Sequence, residues 1–235
     1  MNDVARRLAD NLAEIQARIA AAAVRSGREA DAVRLVAVTK HVPAEFVAQL
    51  VAAGCTDLGE SRPQELWAKA DQLHNPSIRW HAIGHLQRNK IRRTLPYLHL
   101  IHSVDSRRVL AAIDEEAALI GQKIGVLLEL NVTSDVTKTG LPPAEVEGLL
   151  EKASELRHVS IRGLMAMASH GGGETAARRD FARLRTIRDR LAKKCPQGGS
   201  LTELSMGMSG DFEIAILEGA TIVRVGSALF EGIDT

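Results

Sequence analysis

Eight short strand-like segments recur along this chain, the first of them (33–38) mostly β-branched or aliphatic, and a helical pattern separates each from the next. Near-continuous apolar runs of four to eight residues are what a strand buried on both faces requires. The eight segments fall at 33–38, 56–60, 78–83, 98–104, 124–131, 159–165, 201–205 and 221–225. Between them, apolar residues return at spacings of three and four: 44–53, 62–73, the basic stretch to 95, the alanine-rich stretch to 121, then 142 onward, 175–194 and a short piece ending at 218–219. Strict alternation specifies a parallel sheet, and eight such units predict a closed (β/α)8 TIM-like barrel rather than an open doubly wound sheet. No helical pattern follows the eighth strand. A helix over 3–25, with Leu8, Leu12, Ile15 and Ile19 on one face, is expected to cover that seam.

The 235 residues contain no linker or shift of composition, so one domain spanning 1–235 is expected. The formal net charge of +1 and an aromatic content of 3 % argue against a nucleic-acid surface. No apolar stretch approaches a membrane span, and no leader pattern opens the chain. Cys55 and Cys195 stand far apart, consistent with two reduced thiols in a cytoplasmic protein. No exposed apolar stripe is evident, and a monomer is expected.

Barrel sites form where strands end, in the loops at the carboxyl face. The first strand ends in Thr39-Lys40, and Pro43 then opens a helix. Lys40 is either the first solvated residue after a core strand or an amine beside an apolar wall, prepared to attack a carbonyl. The last two strands end in Ser205-Met206-Gly207-Met208-Ser209 and Gly226-Ser227. Small residues and hydroxyls on those two loops are where barrels hold phosphate. Arg224 lies inside an apolar strand two residues before the second loop, so it needs a buried partner or a ligand. His81 and His85 are four apart but span a strand end and Gly84, a spacing unlike a helical metal pair, and no metal is expected. Residues 171–173 are glycines without the lysine of a P-loop. The basic runs 88–93 and 178–194 read as solvated helix faces.

Several segments together resemble the pyridoxal phosphate (PLP) homeostasis proteins, single-domain relatives of the alanine racemase barrel. These are Leu-Val-Ala-Val-Thr-Lys at 35–40, Gly-Glu-Ser-Arg-Pro-Gln-Glu at 59–65, Trp-His-Ala-Ile-Gly-His-Leu-Gln-Arg-Asn-Lys at 80–90, His-Ser-Val-Asp-Ser at 102–106, Gly-Leu-Met-Ala-Met at 163–167, Leu-Ser-Met-Gly-Met-Ser-Gly-Asp-Phe at 204–212 and Val-Arg-Val-Gly-Ser at 223–227. The resemblance implies that Lys40 carries PLP as a Schiff base. It implies that Met208, Ser209, Gly226 and Ser227 hold the phosphate, that Arg224 faces the pyridine nitrogen, and that Ser61 and His85 belong to the cofactor site. It implies a function in vitamin B6 homeostasis, with apo-forms of PLP-dependent enzymes as recipients; a racemase or decarboxylase using the same site is the alternative. The chain departs from the family at Ser61 and Pro63, where Asn and an aliphatic residue are usual. Racemisation needs a second acid/base. The single tyrosine, Tyr97, precedes the fourth strand, Cys55 precedes the second, and His85 has no orienting partner legible in sequence.

Overall fold

The computed structural model describes residues 3–133, 135, 139–169, 171–194 and 201–233; Cys195 lies outside them. Eight parallel strands close into a barrel in sequence order: β1 (Arg34–Val38), β2 (Asp57–Glu60), β3 (Arg79–Ala82), β4 (Leu98–Val104), β5 (Ile124–Glu129), β6 (Val159–Met165), β7 (Glu203–Ser205) and β8 (Ile222–Val225). The helices around it are α1 (Asp3–Arg25), α2 (Ala44–Ala52), α3 (Pro63–Leu73), α4 (Arg88–Thr94), α5 (Arg107–Leu119), α6 (Val146–Lys152), α7 (Gly173–Lys194) and α8 (Phe212–Leu217). Closure rests on β1 pairing with β8, from Arg34 opposite Ile222 to Ala37 opposite Val225.

Alternation along each strand sorts side chains into two apolar regions. The larger lies between strands and helices and includes Ala37, Leu58, Trp80, Ile101 and Leu204. The smaller is inside the barrel and consists of Val36, Leu100, Leu127, Met165 and Ile222, one each from five strands.

As expected, α1 covers the seam. Its buried face is Leu8, Leu12, Ile15, Ile19, Ala22 and Ala23. Asn11 Nδ2 donates to the carbonyls of Leu229 and Glu231 at 3.1 and 3.0 Å. The Arg28 guanidinium donates to the carbonyls of Ala220 and Ile216 at 2.7 and 2.6 Å, binding the last turn of α8 and the turn that follows it.

Two boundaries differ from the sequence expectation. The helix expected from 142 begins at Val146, because Leu141 is first drawn into a bridge with Leu130 and donates its N–H to the Glu129 carbonyl at 2.7 Å. After β8 the chain forms one 3-10 turn, Ser227–Phe230, instead of passing directly to its end.

Truncating the buried face of the seam helix should be costly. Ile15→Ala is expected to lower stability by about 2–5 kcal/mol, the range for deleting a buried aliphatic side chain, measured by urea unfolding.

Candidate functional site

Lys40 lies two residues beyond the end of β1 and is exposed at the mouth of the barrel. The backbone there is set by its neighbours. His41 sits at φ 65°, a left-handed conformation uncommon for a residue with a side chain, and it turns the chain sharply after the lysine.

Beneath Lys40, Thr39 points out of the barrel into a buried polar cluster. Thr39 Oγ1 donates to Glu60 Oε1 at 2.7 Å. Lys69 Nζ, from α3, donates to Glu60 Oε1 and to the Thr39 carbonyl, both at 2.6 Å. Glu60 and Lys69 are 2 % and 5 % exposed, so the pair is removed from water and its geometry is tightly held. The carbonyl it grips belongs to the peptide bond that leads into Lys40.

Across the seam, Gly226 lies against β1: a Cβ added there would stand 3.2 Å from Val38 Cβ. The two glycine-serine loops meet at this point. Ser209 Oγ accepts from Gly226 N at 3.2 Å and Ala228 N at 3.5 Å. The loop after β7 is made possible by Gly207, which has φ 94° and would place a Cβ 2.9 Å from Phe212 Cα. Asp211 stands at the N-cap of α8, yet its carboxylate accepts from Met208 N at 2.6 Å instead of from a helical N–H. Met208 and Ser227 are exposed, while Ser209 and Gly226 are half-buried.

Arg224 is buried within the barrel. Nη1 donates to the Ser205 carbonyl at 2.9 Å and to Ser205 Oγ at 2.6 Å, and Nη2 donates to the Ala166 carbonyl at 3.2 Å. No ion pair holds it among the described residues. Burial lowers its guanidinium to about 10, against the opposing fields of Glu129 and Asp211, so it remains charged at neutral pH.

The chain matches the family described as "Alanine racemase, N-terminal domain" over residues 8–233. A "Pyridoxal phosphate homeostasis protein" of Pseudomonas aeruginosa is 37 % identical, with 97 % of this chain and 96 % of that one covered. The chain belongs to the pyridoxal phosphate homeostasis protein family. Among solved structures, an unknown protein from Bifidobacterium adolescentis superposes with a TM-score of 0.92 at 40 % identity, covering 98 % of this chain and 97 % of that one. PipY of Synechococcus elongatus, "with PLP bound", superposes with a TM-score of 0.84 at 38 % identity, covering 95 % and 99 %.

Within this member of the homeostasis family, the strand ends bring Lys40, Ser209, Arg224, Gly226 and Ser227 to one side of the mouth. Ser61 and His85 are on the loops after β2 and β3. Ser61 is packed so closely that its carbonyl would lie 2.4 Å from a Cβ on Gly84, which only glycine accommodates. His85 is exposed, and its Nδ1 is 2.9 Å from Asp105 Oδ2, so it does have an orienting partner, contrary to the sequence expectation. Tyr97 stays at the amino-terminal end, where its hydroxyl donates to Asp71 at 2.9 Å. Cys55 is buried at the same end, and burial together with Asp57 pushes its thiol up to about 12. Among the described residues no His, Cys, Asp or Glu group gathers as a metal site.

Sequence reading missed Glu129, which ends β5 and accepts from Thr139 Oγ1 at 2.9 Å; burial raises its carboxyl. It also missed the Glu60–Lys69 pair. The nine-residue spacing joins a strand end to the second turn of a helix, and only the packing of α3 on the barrel makes it a contact.

The buried pair generates a prediction. Lys69→Met leaves Glu60 as an uncompensated buried carboxylate, and a loss of about 3–5 kcal/mol in urea unfolding is expected. The double substitution with Glu60→Gln is expected to recover most of it.

Proposed function

We propose that this chain binds PLP in the mouth of the barrel, holds it covalently through Lys40, and acts in intracellular PLP homeostasis. The observation carrying this reading is the contact of Ser209 Oγ with the N–H groups of Gly226 and Ala228, at 3.2 and 3.5 Å, beside the lysine strand. Backbone N–H groups and serine hydroxyls gathered from the last two loops suit a phosphate, and a buried guanidinium two residues away suits an aromatic nitrogen. The donor set thus fits the cofactor, and relatives with that name and a neighbour with PLP bound support the same reading.

In this assignment Met208, Ser209, Gly226 and Ser227 bind the phosphate, Arg224 faces the ring nitrogen, and Ser61 and His85 flank the ring. When bound, the cofactor supplies an aldehyde for the amine and a ring able to withdraw electrons. The chain's own residues orient it. Arg224 only donates hydrogen bonds and stays charged, so it keeps a facing nitrogen as an acceptor. The Glu60–Lys69 cluster fixes the carbonyl before Lys40 and so limits where the amine can reach.

We read the protein as a single cytoplasmic domain over 1–235, a monomer whose recipients are apo-forms of PLP-dependent enzymes. No helix among the described residues is long and apolar enough to cross a membrane. The exposed large apolar side chains among them are Val24, Leu119, Met167 and Met208, too few for an obligate interface.

One observation favours the alternative of an amino-acid racemase or decarboxylase. The His85–Asp105 pair places an oriented imidazole on the rim, the arrangement a second acid/base needs. It is exposed, however, and open to water, which favours exchange of cofactor over protected chemistry.

Two outcomes are expected. Borohydride reduction of the PLP-loaded protein followed by peptide mapping should place the label on Lys40, and Lys40→Ala should abolish both label and visible absorption band while leaving the fold intact. Label on another lysine with Lys40 unmodified would refute the assignment. With L-alanine in deuterated water, α-proton exchange should stay below about 1 s⁻¹, the low end of ordinary enzymes; faster exchange would restore the enzyme.

A further inference from the structure

Arg224 is a buried cation that feels the fields of Glu129 and Asp211 but has no carboxylate in contact among the described residues, so its guanidinium is held by hydrogen bonds to Ser205 and the Ala166 carbonyl. From Ser205 the hydrogen bonds continue down the inside of the barrel. Ser205 Oγ lies 2.8 Å from His102 Nδ1, and His102 Nε2 lies 2.8 Å from His81 Nδ1. His81 Nε2 lies 2.9 Å from Asp57 Oδ1, and Asp57 in turn accepts from Arg79 Nε at 2.8 Å. Ser205, His102 and His81 are wholly buried, and Asp57 is 6 % exposed. The chain ends at the opposite face of the barrel from Lys40, where Asp57 and Arg79 border a cavity of about 460 Å³.

With both imidazoles neutral, the form their burial favours, the two ends decide every proton in between. Arg224 can only donate and an ionised Asp57 can only accept. His81 therefore carries its proton on Nε2, which leaves Nδ1 to accept from His102 Nε2–H. His102 Nδ1 then accepts from Ser205 O–H, and Ser205 Oγ accepts from Arg224. Each member turns a lone pair toward Arg224 and a proton toward Asp57, so the bond dipoles add in one direction. In a low-dielectric interior such aligned chains polarise one another.

A filling role would not demand this order. The neighbouring inward positions are Val36, Leu100, Leu127, Met165 and Ile222, so apolar side chains suit this interior. Two imidazoles and a hydroxyl there cost desolvation that only complete hydrogen bonding offsets. We propose that Asp57, His81 and His102 are positioning residues for Arg224: they form, through Ser205, a proton-ordered chain that fixes the Ser205 hydroxyl oxygen as an acceptor for the site arginine. The charge states agree with this geometry. Burial alone would raise the Asp57 carboxyl, but hydrogen bonds from Arg79 and His81 hold it well below the usual carboxylate range. Burial lowers both imidazoles, reinforced at His102 by His81 and Arg224. The other groups facing His81 are His99, with ring centroids 5.5 Å apart, and the Arg34 and Arg79 cations, which favour its neutral form.

The consequence for Arg224 as a ligand to the ring nitrogen rests on the PLP reading above, and the test separates the two. In 15N–1H side-chain spectra of the labelled protein without cofactor, His81 and His102 should both be neutral Nε2–H tautomers at neutral pH. An Nδ1–H tautomer or a charged ring at either position overturns the proposal. PLP affinity is then measured for the wild type, Asp57→Asn, Ser205→Ala and the double variant. Each single change should weaken binding about three- to tenfold, the effect of one hydrogen bond. The double variant should fall within about twofold of the weaker single, because either change breaks the same chain. Multiplying effects, or an unchanged affinity in Asp57→Asn, overturn it. Should the wild type bind no PLP, the functional reading fails alone: the Arg224 Nε–H resonance, followed in the same four proteins without ligand, completes the same cycle with the same criterion.

Discussion

The pairing of β1 with β8 is the constraint on which the remaining structure depends. A parallel sheet of eight strands has two unpaired edges until its first and last strands meet, and each edge presents unsatisfied backbone groups. Closure removes both. It also carries Lys40 from the first strand and Arg224 to Ser227 from the last into adjacency, joining residues that no local segment could bring together. The N-terminal helix and the turn after it make closure durable through Asn11 and Arg28, which bind carbonyls in the final thirty residues.

Side chains that leave the barrel wall in opposite directions do different work. Outward from the ends of β1 and β2, Thr39 and Glu60 meet Lys69 in a closed cluster that steadies the peptide before Lys40. Inward, Arg224 meets Ser205 and two backbone carbonyls, so a permanent charge sits where most barrels carry aliphatic residues. Both arrangements are buried and both are polar. They are tolerable because nearly every donor and acceptor has a partner, although Glu60 keeps one carboxylate oxygen without one.

The sequence made the alternation of elements readable because strand-like segments and periodic helical ones follow each other strictly. It made Lys40 and the two glycine-serine loops readable because strand ends are marked by abrupt changes of composition. The interior chain was not readable in the same way. His81 and His102 look like isolated histidines in strands, and that both point inward depends on the register of β3 against β4, which includes a shift between Trp80 and His81. His85 gains its partner Asp105 from the next loop, a contact set by strand spacing and not by any motif. The helix placed at Pro142 starts late because Leu141 is claimed by a tertiary bridge, a competition that local propensity does not register.

The separation of the apolar residues into an outer shell and five interior side chains has a consequence for how such a molecule tolerates change. Cohesion resides in the wall, where strands meet helices, and the lumen contributes little of it. A vessel of this kind can have its apolar contents rewritten while its container persists, whereas the hydrogen-bonded inward residues Asp57, His81, His102 and Ser205 can change only together. Divergent relatives could share the wall and differ in what the lumen recognises, and an engineer could treat those inward positions as an alphabet for new ligands.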